Sequence, residues 1–572
     1  MRDAADVQPK PAGTRLAPAA SGALALALFL ALALAALQPG LFTGHDTIVG
    51  NTGDPSIFIW SLQWVPFALS HHLNPLVTNY LHYPGGMNLM WNGSIIFPAL
   101  VLAPVTELFG PIVSYNLVAV LGVSLSAWCT FLAARRYTSG WLPAAAGGLL
   151  YGFSPFMASQ IMGHAQLFIA LFPPLLIMLA DEVLVRQRRA AALMGILLGV
   201  AATAQLLTGE ELLAMTAIMA VLPMVTLAII HRAQLRRRLG YAARAAGWAL
   251  GTFLVLGGYP LYIQFLGPQV VHGALQGIDT YVASPTSFVD PSRLELISGN
   301  ALVFDSSVYI GVPLLLLAVL VVAWLQRRTV VMVAAVTLVS AMVFSLGGHL
   351  YLHGVASGIL LPWDLVNHLP VLDNILPVRL MVFGYLALAI LLAVFLDVSR
   401  LRGRRWSLGG LAMATAALIP LIPALPVASG EFRVPSFFTD GSVQRLSPTG
   451  SVLLSPYEGQ VTEVWQALSG MAFRTQVGVV YAPGPGGHME GPDLGALGKE
   501  LNELDSLGQP APTSIPASQR ATFLGDLRAR DVRSIVVGPS GGQNQVAQLF
   551  TELLETPGLR TGGVIVWYDV QP

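Results

Sequence analysis

The feature that most constrains this chain is a recurring apolar run of about 17 to 25 residues, long enough as a helix to cross about 30 Å of hydrocarbon. The runs in the first half are Ser21 to Gln38, Ile112 to Ala134, Trp141 to Ala158, Gln166 to Val185, Ala190 to Thr208 and Glu211 to Ile230. Those in the second half are Tyr241 to Phe265, Ser307 to Leu325, Val330 to Leu346, Val378 to Val398 and Leu408 to Pro426. Lipid offers no hydrogen bonds, so a segment that spans it must pair its own backbone groups. An all-α polytopic module of about 11 transmembrane helices is therefore predicted. Composition agrees: the 572 residues are 54% hydrophobic and 10% charged, against roughly 25% charged in soluble domains. The first run is longer and starts later than the core of a cleaved signal peptide, so it reads as the first transmembrane helix. A formal net charge of zero gives no footprint for nucleic acid. The single cysteine, Cys129, excludes an intramolecular disulfide and a cysteine-rich metal site.

A further apolar stretch, Ile95 to Gly110, is short and carries Pro98 and Pro104. Arginine placement decides whether it spans. If it does not, Arg135 and Arg136, Arg186 to Arg189, Arg232 to Arg238, Arg327 and Arg328, and Arg400 to Arg405 all share one side with Arg2, Lys10 and Arg15. The positive-inside rule makes that side the cytoplasm. Three regions are then predicted. Residues 1–20 form a disordered cytoplasmic tail, 21–428 the transmembrane module with juxtamembrane helices in its first outer loop, and 429–572 a small extracytoplasmic α/β domain. Within the last, Ser451 to Leu454, Ser534 to Val537 and Val564 to Tyr568 read as strands, and Ser518 to Arg530 and Gln545 to Leu554 as helices.

Asp54 is the first candidate for chemistry. It precedes Pro55 and an aromatic-rich helix in the outer loop. One reading makes it an N-cap with proline at the first helical position; the other makes it a carboxylate at the water–lipid boundary that takes a proton from a hydroxyl. The surrounding residues resemble the polyprenyl-phosphate-sugar-dependent glycosyltransferases of the GT-C superfamily. The resemblance lies in Gly53-Asp54, then Tyr83-Pro84-Gly85-Gly86-Met87-Asn88, then Glu107-Leu108-Phe109-Gly110, followed by helices ending in Ala134-Arg135-Arg136 and in Phe153-Ser154-Pro155. It covers roughly Leu24 to Leu184. It implies transfer of a sugar from a polyprenyl-phosphate donor to a glycan, glycolipid or protein acceptor on the outer face, with Asp54 as the base. Several members carry an Asp-x-Asp metal pair. The first outer loop here lacks one, with Asp46 the other acidic residue eight positions before Asp54, so a reaction without a divalent metal is favoured over one that uses a metal, and no other cofactor is expected.

Further candidates lie at outer helix ends. Arg379 opens a spanning helix where the dipole favours anions, a position that suits a carrier phosphate, a lipid headgroup or Asp373. Glu210 and Glu211 fit either a capping box with Thr208 or sugar-binding carboxylates. His164 sits in an outer turn, as a satisfied polar residue or a site residue. Tyr83 and Asn88 belong to a turn near Asp54, where Asn88 would contact sugar hydroxyls. Asn92-Gly93-Ser94 fits a glycosylation sequon. Tyr457, Trp465, Tyr481 and Trp567 form either a carbohydrate-stacking platform or core. The glycine-rich Gly484 to Gly491 lacks the Lys-Ser/Thr of a nucleotide loop.

The leading expectation is glycosyl transfer by direct displacement at the anomeric carbon. A lipid or glycan transporter or flippase is the alternative, and a non-catalytic envelope-assembly scaffold the third reading. A transporter would carry ionisable residues at mid-membrane; here they lie at helix ends. Alanine, glycine and arginine richness with little lysine points to a bacterial cytoplasmic membrane.

Overall fold

The computed structural model describes residues 17–38, 46–273, 279–299, 307–352, 355–369, 372–457, 459–476, 478, 481–484, 489–490, 495–506 and 514–572. The tail before residue 17 and most of the glycine-rich stretch lie outside the described residues. The membrane module is built from α1 (Pro18–Leu37), α2 (Pro55–Ser70), α3 (Ile96–Phe109), α4 (Pro111–Arg135), α5 (Trp141–Gly152), α6 (Pro155–Gln160), α7 (Ala165–Phe168) and α8 (Phe172–Asp181). It continues through α9 (Ala191–Leu206), α10 (Glu210–Ile230), α11 (Leu235–Leu266), α12 (Val312–Leu325), α13 (Thr329–Ser345), α14 (Met381–Leu401) and α15 (Arg404–Leu418). Among the described residues six helical segments are long and apolar enough to cross a membrane: Pro18–Leu37, Pro111–Arg135, Ala165–Arg186, Glu210–Ile230, Leu235–Leu266 and Pro377–Leu401. The chain is a membrane protein.

Several of the predicted spans differ from the structure, among them Gln166 to Val185, which is divided into α7 and α8, and two differ for plain local reasons. The run Trp141 to Ala158 is divided into α5 and α6, because the Ser154 hydroxyl accepts the Met157 N–H at 3.3 Å and Pro155 starts a new helix. The run Leu408 to Pro426 is helical only to Leu418, where a turn containing Pro420 ends it. In α15 the helix instead begins earlier, at Arg404.

The stretch Ile95 to Gly110, folded as α3, does not change the side of the chain. Helices α1 and α4 run antiparallel: the Trp128 indole donates to the Gly22 carbonyl at 3.0 Å, and the Ser124 hydroxyl to the Phe29 carbonyl at 3.3 Å. The opposite end of α4 carries Asn116, whose amide donates to the Thr47 carbonyl at 2.9 Å and accepts the Val49 N–H at 3.1 Å. The loop between α1 and α4 thus starts and finishes at one end of the bundle.

The arginines gather at the other end. Arg136 holds Asp181 and Glu182, each at 2.7 Å, and Arg186 reaches the same Asp181 at 2.6 Å. Gln187 donates to the Arg238 carbonyl at 3.0 Å. Arg400 bonds Ser139 at 2.9 Å, and the Arg402 guanidinium lies 4.4 Å from the Trp324 ring centre.

After residue 428 the chain forms a four-stranded sheet, ordered Leu559–Thr561, Val564–Trp567, Val532–Val537, Ser451–Ser455. The last two strands are parallel and the other neighbours antiparallel. The sheet is accompanied by α16 (Val461–Leu468), α17 (Gly495–Ser506), α18 (Ala517–Ala529) and α19 (Gln543–Leu554). Tyr457, Trp465 and Trp567 are buried in the core of this region, so they do not form an exposed stacking platform. The region is tied to the membrane module at several places, two of which fix the first outer loop. Ser429–Glu431 pairs antiparallel with Thr47–Val49, and the buried Trp60 of α2 donates to Gln466 of α16 at 2.6 Å.

Candidate active site

The segment leading to Asp54 is held from three directions. Its strand pairs with 429–431, Asn116 of α4 brackets it, and the Asn51 N–H donates to the Met162 carbonyl at 2.9 Å. At Gly50 the backbone has φ +91°, and a Cβ there would lie 2.6 Å from the Met162 carbonyl oxygen. Only glycine permits this approach. The Asn51 side-chain oxygen Oδ1 then accepts the Gly53 N–H at 2.9 Å, shaping the turn into α2.

Asp54 occupies the N-cap position of α2, yet its side chain caps nothing. The Ser56 N–H is taken by the Gly53 carbonyl at 3.0 Å instead. This leaves the Asp54 carboxylate, about half exposed, facing a cavity of about 490 Å³, within the ordinary range for ligand pockets. Its Oδ1 accepts the Gln460 amide at 3.1 Å, and its Oδ2 lies 3.4 Å from the His164 Nε2. Burial is the main influence on His164, and the positive charge of Arg379 adds to it. Together they push its pKa down to about 4 against the opposing pull of Asp54. The imidazole is therefore neutral at pH 7.

Arg379 stands on a short helical turn, Pro377–Leu380, that leads into α14. Its Nη1 donates to Glu211 at 2.6 Å, and both side chains are largely buried. Asp373 is engaged elsewhere, accepting the Asn374 amide at 2.9 Å. The capping box expected at Thr208 does not form: its hydroxyl donates back to the Ala204 carbonyl at 2.7 Å, and α10 starts after Gly209 with no side-chain cap. Glu211 is thereby left to hold Arg379. Glu210 lines the same cavity. Among the described lining residues Arg379 is the one basic side chain that is charged at neutral pH, facing Asp54, Glu210, Glu211 and Glu463.

Asp54, His164, Glu210, Glu211 and Arg379 are thus gathered around one cavity. Asn88 and Tyr83 are not among its lining residues. The Asn88 amide is fully buried and fully used, donating to the Ile263 carbonyl at 2.7 Å and the Pro268 carbonyl at 3.0 Å and accepting the Met90 N–H at 3.1 Å. No group remains to contact a sugar. Tyr83 stacks beneath the Arg474 guanidinium at 5.7 Å. Asn92 is also spent: it accepts the Tyr481 N–H at 2.6 Å and donates to the Tyr481 carbonyl at 3.0 Å. A buried amide so engaged is not an accessible glycosylation site in the folded chain.

The structure adds residues that sequence reasoning missed. Gln460, Glu463 and Tyr481 reach the cavity from the C-terminal region, and Gln160 and Gln166 from the turns around His164. Of the group, Tyr481 was considered only as a platform residue; burial first, and then the charge of Asp54, raise its phenol pKa. Buried atoms of Gln160 (Oε1), His164 (Nδ1), Gln166 (Oε1) and Glu211 (Oε1) have no hydrogen-bond partner among the described residues. Leaving such atoms unmade costs about 1–3 kcal/mol each.

Among the described residues no group of three or more His, Cys, Asp or Glu side chains is arranged to hold a metal ion. The carboxylates are divided instead: Asp54 faces an amide and a neutral imidazole, and Glu211 faces a guanidinium.

Comparison with solved structures shows what the fold is similar to. The chain superposes on the mycobacterial arabinofuranosyltransferase AftD with a TM-score of 0.55 at 16% identity, over 96% of this chain and 40% of that one. It therefore spans about two fifths of that protein's length. It superposes on the Archaeoglobus fulgidus oligosaccharyltransferase tethered to an acceptor peptide with a TM-score of 0.50 at 12% identity, over 90% of this chain and 68% of that one. ArnT from Cupriavidus metallidurans, bound to undecaprenyl phosphate, aligns over 95% of this chain and 98% of its own at a TM-score of 0.45 and 15% identity. No protein-family model and no curated protein sequence matches the chain. The fold is that of the GT-C glycosyltransferases.

Proposed function

We propose that the chain is a membrane glycosyltransferase that moves a sugar from a polyprenyl-phosphate carrier to a hydroxyl of a glycan, glycolipid or protein on the outer face of a bacterial cytoplasmic membrane. The observation that carries this reading is the convergence on one polar cavity of a carboxylate released from helix capping, Asp54, and a lone charged guanidinium, Arg379. They come from opposite halves of the module. In this reading the arginine-bearing end is cytoplasmic, and residues 429–572 form an extracytoplasmic domain over the cavity.

Asp54 takes the proton of the acceptor hydroxyl as its oxygen attacks the anomeric carbon. The bond from that carbon to the phosphate oxygen breaks, and the polyprenyl phosphate leaves with the electron pair. A single displacement of this kind inverts the anomeric centre. Arg379 offers its remaining donors to the departing phosphate, where a guanidinium fork stabilises charge best. Gln460 orients Asp54 by its hydrogen bond. Glu210 and Glu211 accept from sugar hydroxyls. No step in this reading is assigned to a metal.

The test is reconstitution in vesicles with a panel of polyprenyl-phosphate sugars and candidate acceptors, followed by mass spectrometry of both lipid and acceptor. The reading requires a hexose- or pentose-sized gain on the acceptor matched by release of bare polyprenyl phosphate. Lipid carried across the bilayer with no mass gain would instead establish a transporter.

A further inference from the structure

The opposite end of the module holds a second feature unrelated to the cavity. Between Glu211 and Asp279 the chain has no acidic residue, yet it carries Arg232, Arg236, Arg237, Arg238 and Arg244. All five lie in the turn between α10 and α11 or in the first turns of α11. At the same end Arg136, Arg186 and Arg400 have carboxylate partners. Among the described residues, none of the five has one. Arg232, Arg236, Arg237 and Arg244 are exposed. Arg238 is anchored, donating to the Leu184 carbonyl at 3.3 Å and to Gln234 at 2.5 Å.

Helix length places these charges. At 32 residues, α11 is about 48 Å long, well beyond the hydrocarbon thickness of about 30 Å. Its arginine-bearing start therefore projects into the headgroup layer. Just below it lies an apolar groove of about 140 Å³, lined by Leu184, Met224, Leu227, Leu235 and Leu239, with Arg238 at its edge. An apolar slot capped by unneutralised guanidinium groups matches a molecule with an anionic phosphodiester joined to acyl chains.

We propose that this groove and the arginines above it form a binding site for an anionic phospholipid, with an acyl chain between α10 and α11 and the phosphate among Arg232, Arg236 and Arg238. Charge complementarity selects this occupant over a zwitterionic lipid. Each cation near an anionic surface is worth about fivefold in affinity.

The experiment uses the full chain in nanodiscs of phosphatidylcholine with a minor share of phosphatidylglycerol, and counts retained lipids by native mass spectrometry after release. Wild type should retain phosphatidylglycerol about tenfold above its share, with at least one molecule surviving mild activation. In Arg232→Gln/Arg236→Gln, which alters only exposed side chains, the enrichment should fall to near parity. Leu227→Trp, which fills the groove, should reduce retention of both lipids. Millimolar inorganic phosphate should displace nothing, since the site needs the chain as well as the charge. Equal retention of both lipids by wild type overturns the proposal, as does undiminished enrichment in the arginine variant.

Discussion

At Asp54 the competition between a structural and a chemical role is decided by a few backbone atoms. Because the Gly53 carbonyl takes the Ser56 N–H, the carboxylate is released to the cavity, where Gln460 and His164 flank it. Its location at a helix start was legible from Gly-Asp-Pro. Its partner was not, because Gln460 lies 406 positions away in the sequence. The same holds for Glu211 and Arg379, separated by 168: each was a candidate alone, and nothing in the chain announces that they pair. Gln460→Ala should leave the fold intact, lower kcat by roughly ten- to a hundredfold, and change the donor KM little. A pH–rate profile identical to wild type, with unchanged kcat, would show that Gln460 orients nothing. His164 gives a stability prediction with a definite sign. Its folded pKa, about 4, lies below the usual 6.5, so the unfolded chain binds the extra proton between those values. Stability is then unaffected above pH 6.5 and falls as pH drops toward 4. Thermal unfolding in detergent should show this slope, and His164→Gln should flatten it.

The elements were easier to read than their ends. Apolar length identified the helices, but proline and side-chain chemistry set where they stop, as at Ser154-Pro155 and Pro420. Where a run was read through Ala158, one serine hydroxyl divides it. The largest miss at this scale is α16, a short amphipathic helix that, with Gln460 at its N-cap, sends Glu463 to the cavity and Gln466 to Trp60 of α2. Its residues look like any other helix of a small α/β region, and the contacts that bring that region against the loop, such as the pairing of 47–49 with 429–431 and the Trp60–Gln466 hydrogen bond, join positions remote in the sequence. The loop itself depends on Gly50. Gly50→Ala forces a Cβ against the Met162 carbonyl and should cost roughly 1–3 kcal/mol, lowering both the unfolding temperature and the transfer rate. Full activity with an unchanged melting curve would show that the loop has another way to reach α2.

For the whole molecule, arginine placement was the most informative signal. It assigned α3 to one side before any contact was known, and the antiparallel packing of α1 and α4 gives the same answer by geometry. What it does not supply is the depth of burial of each helix, since α10 is as apolar as the segment Pro377–Leu401 that contains α14 yet far more exposed. The proposed orientation has a direct check. The only cysteine, Cys129, is buried, so single reporter cysteines can be read without background. Thr449→Cys should react with an impermeant maleimide on intact cells, and Ala190→Cys only after permeabilisation. The reverse pattern would invert the assignment of faces. The central claim is that Asp54 is the base for sugar transfer, and one comparison tests it most directly: wild type and Asp54→Asn in matched membranes, given polyprenyl-phosphate sugars and native acceptors, with products weighed by mass spectrometry. The account requires a sugar-sized gain from wild type that falls by about a hundredfold or more in Asp54→Asn. Equal product from both proteins would contradict it and move the base elsewhere in the cavity.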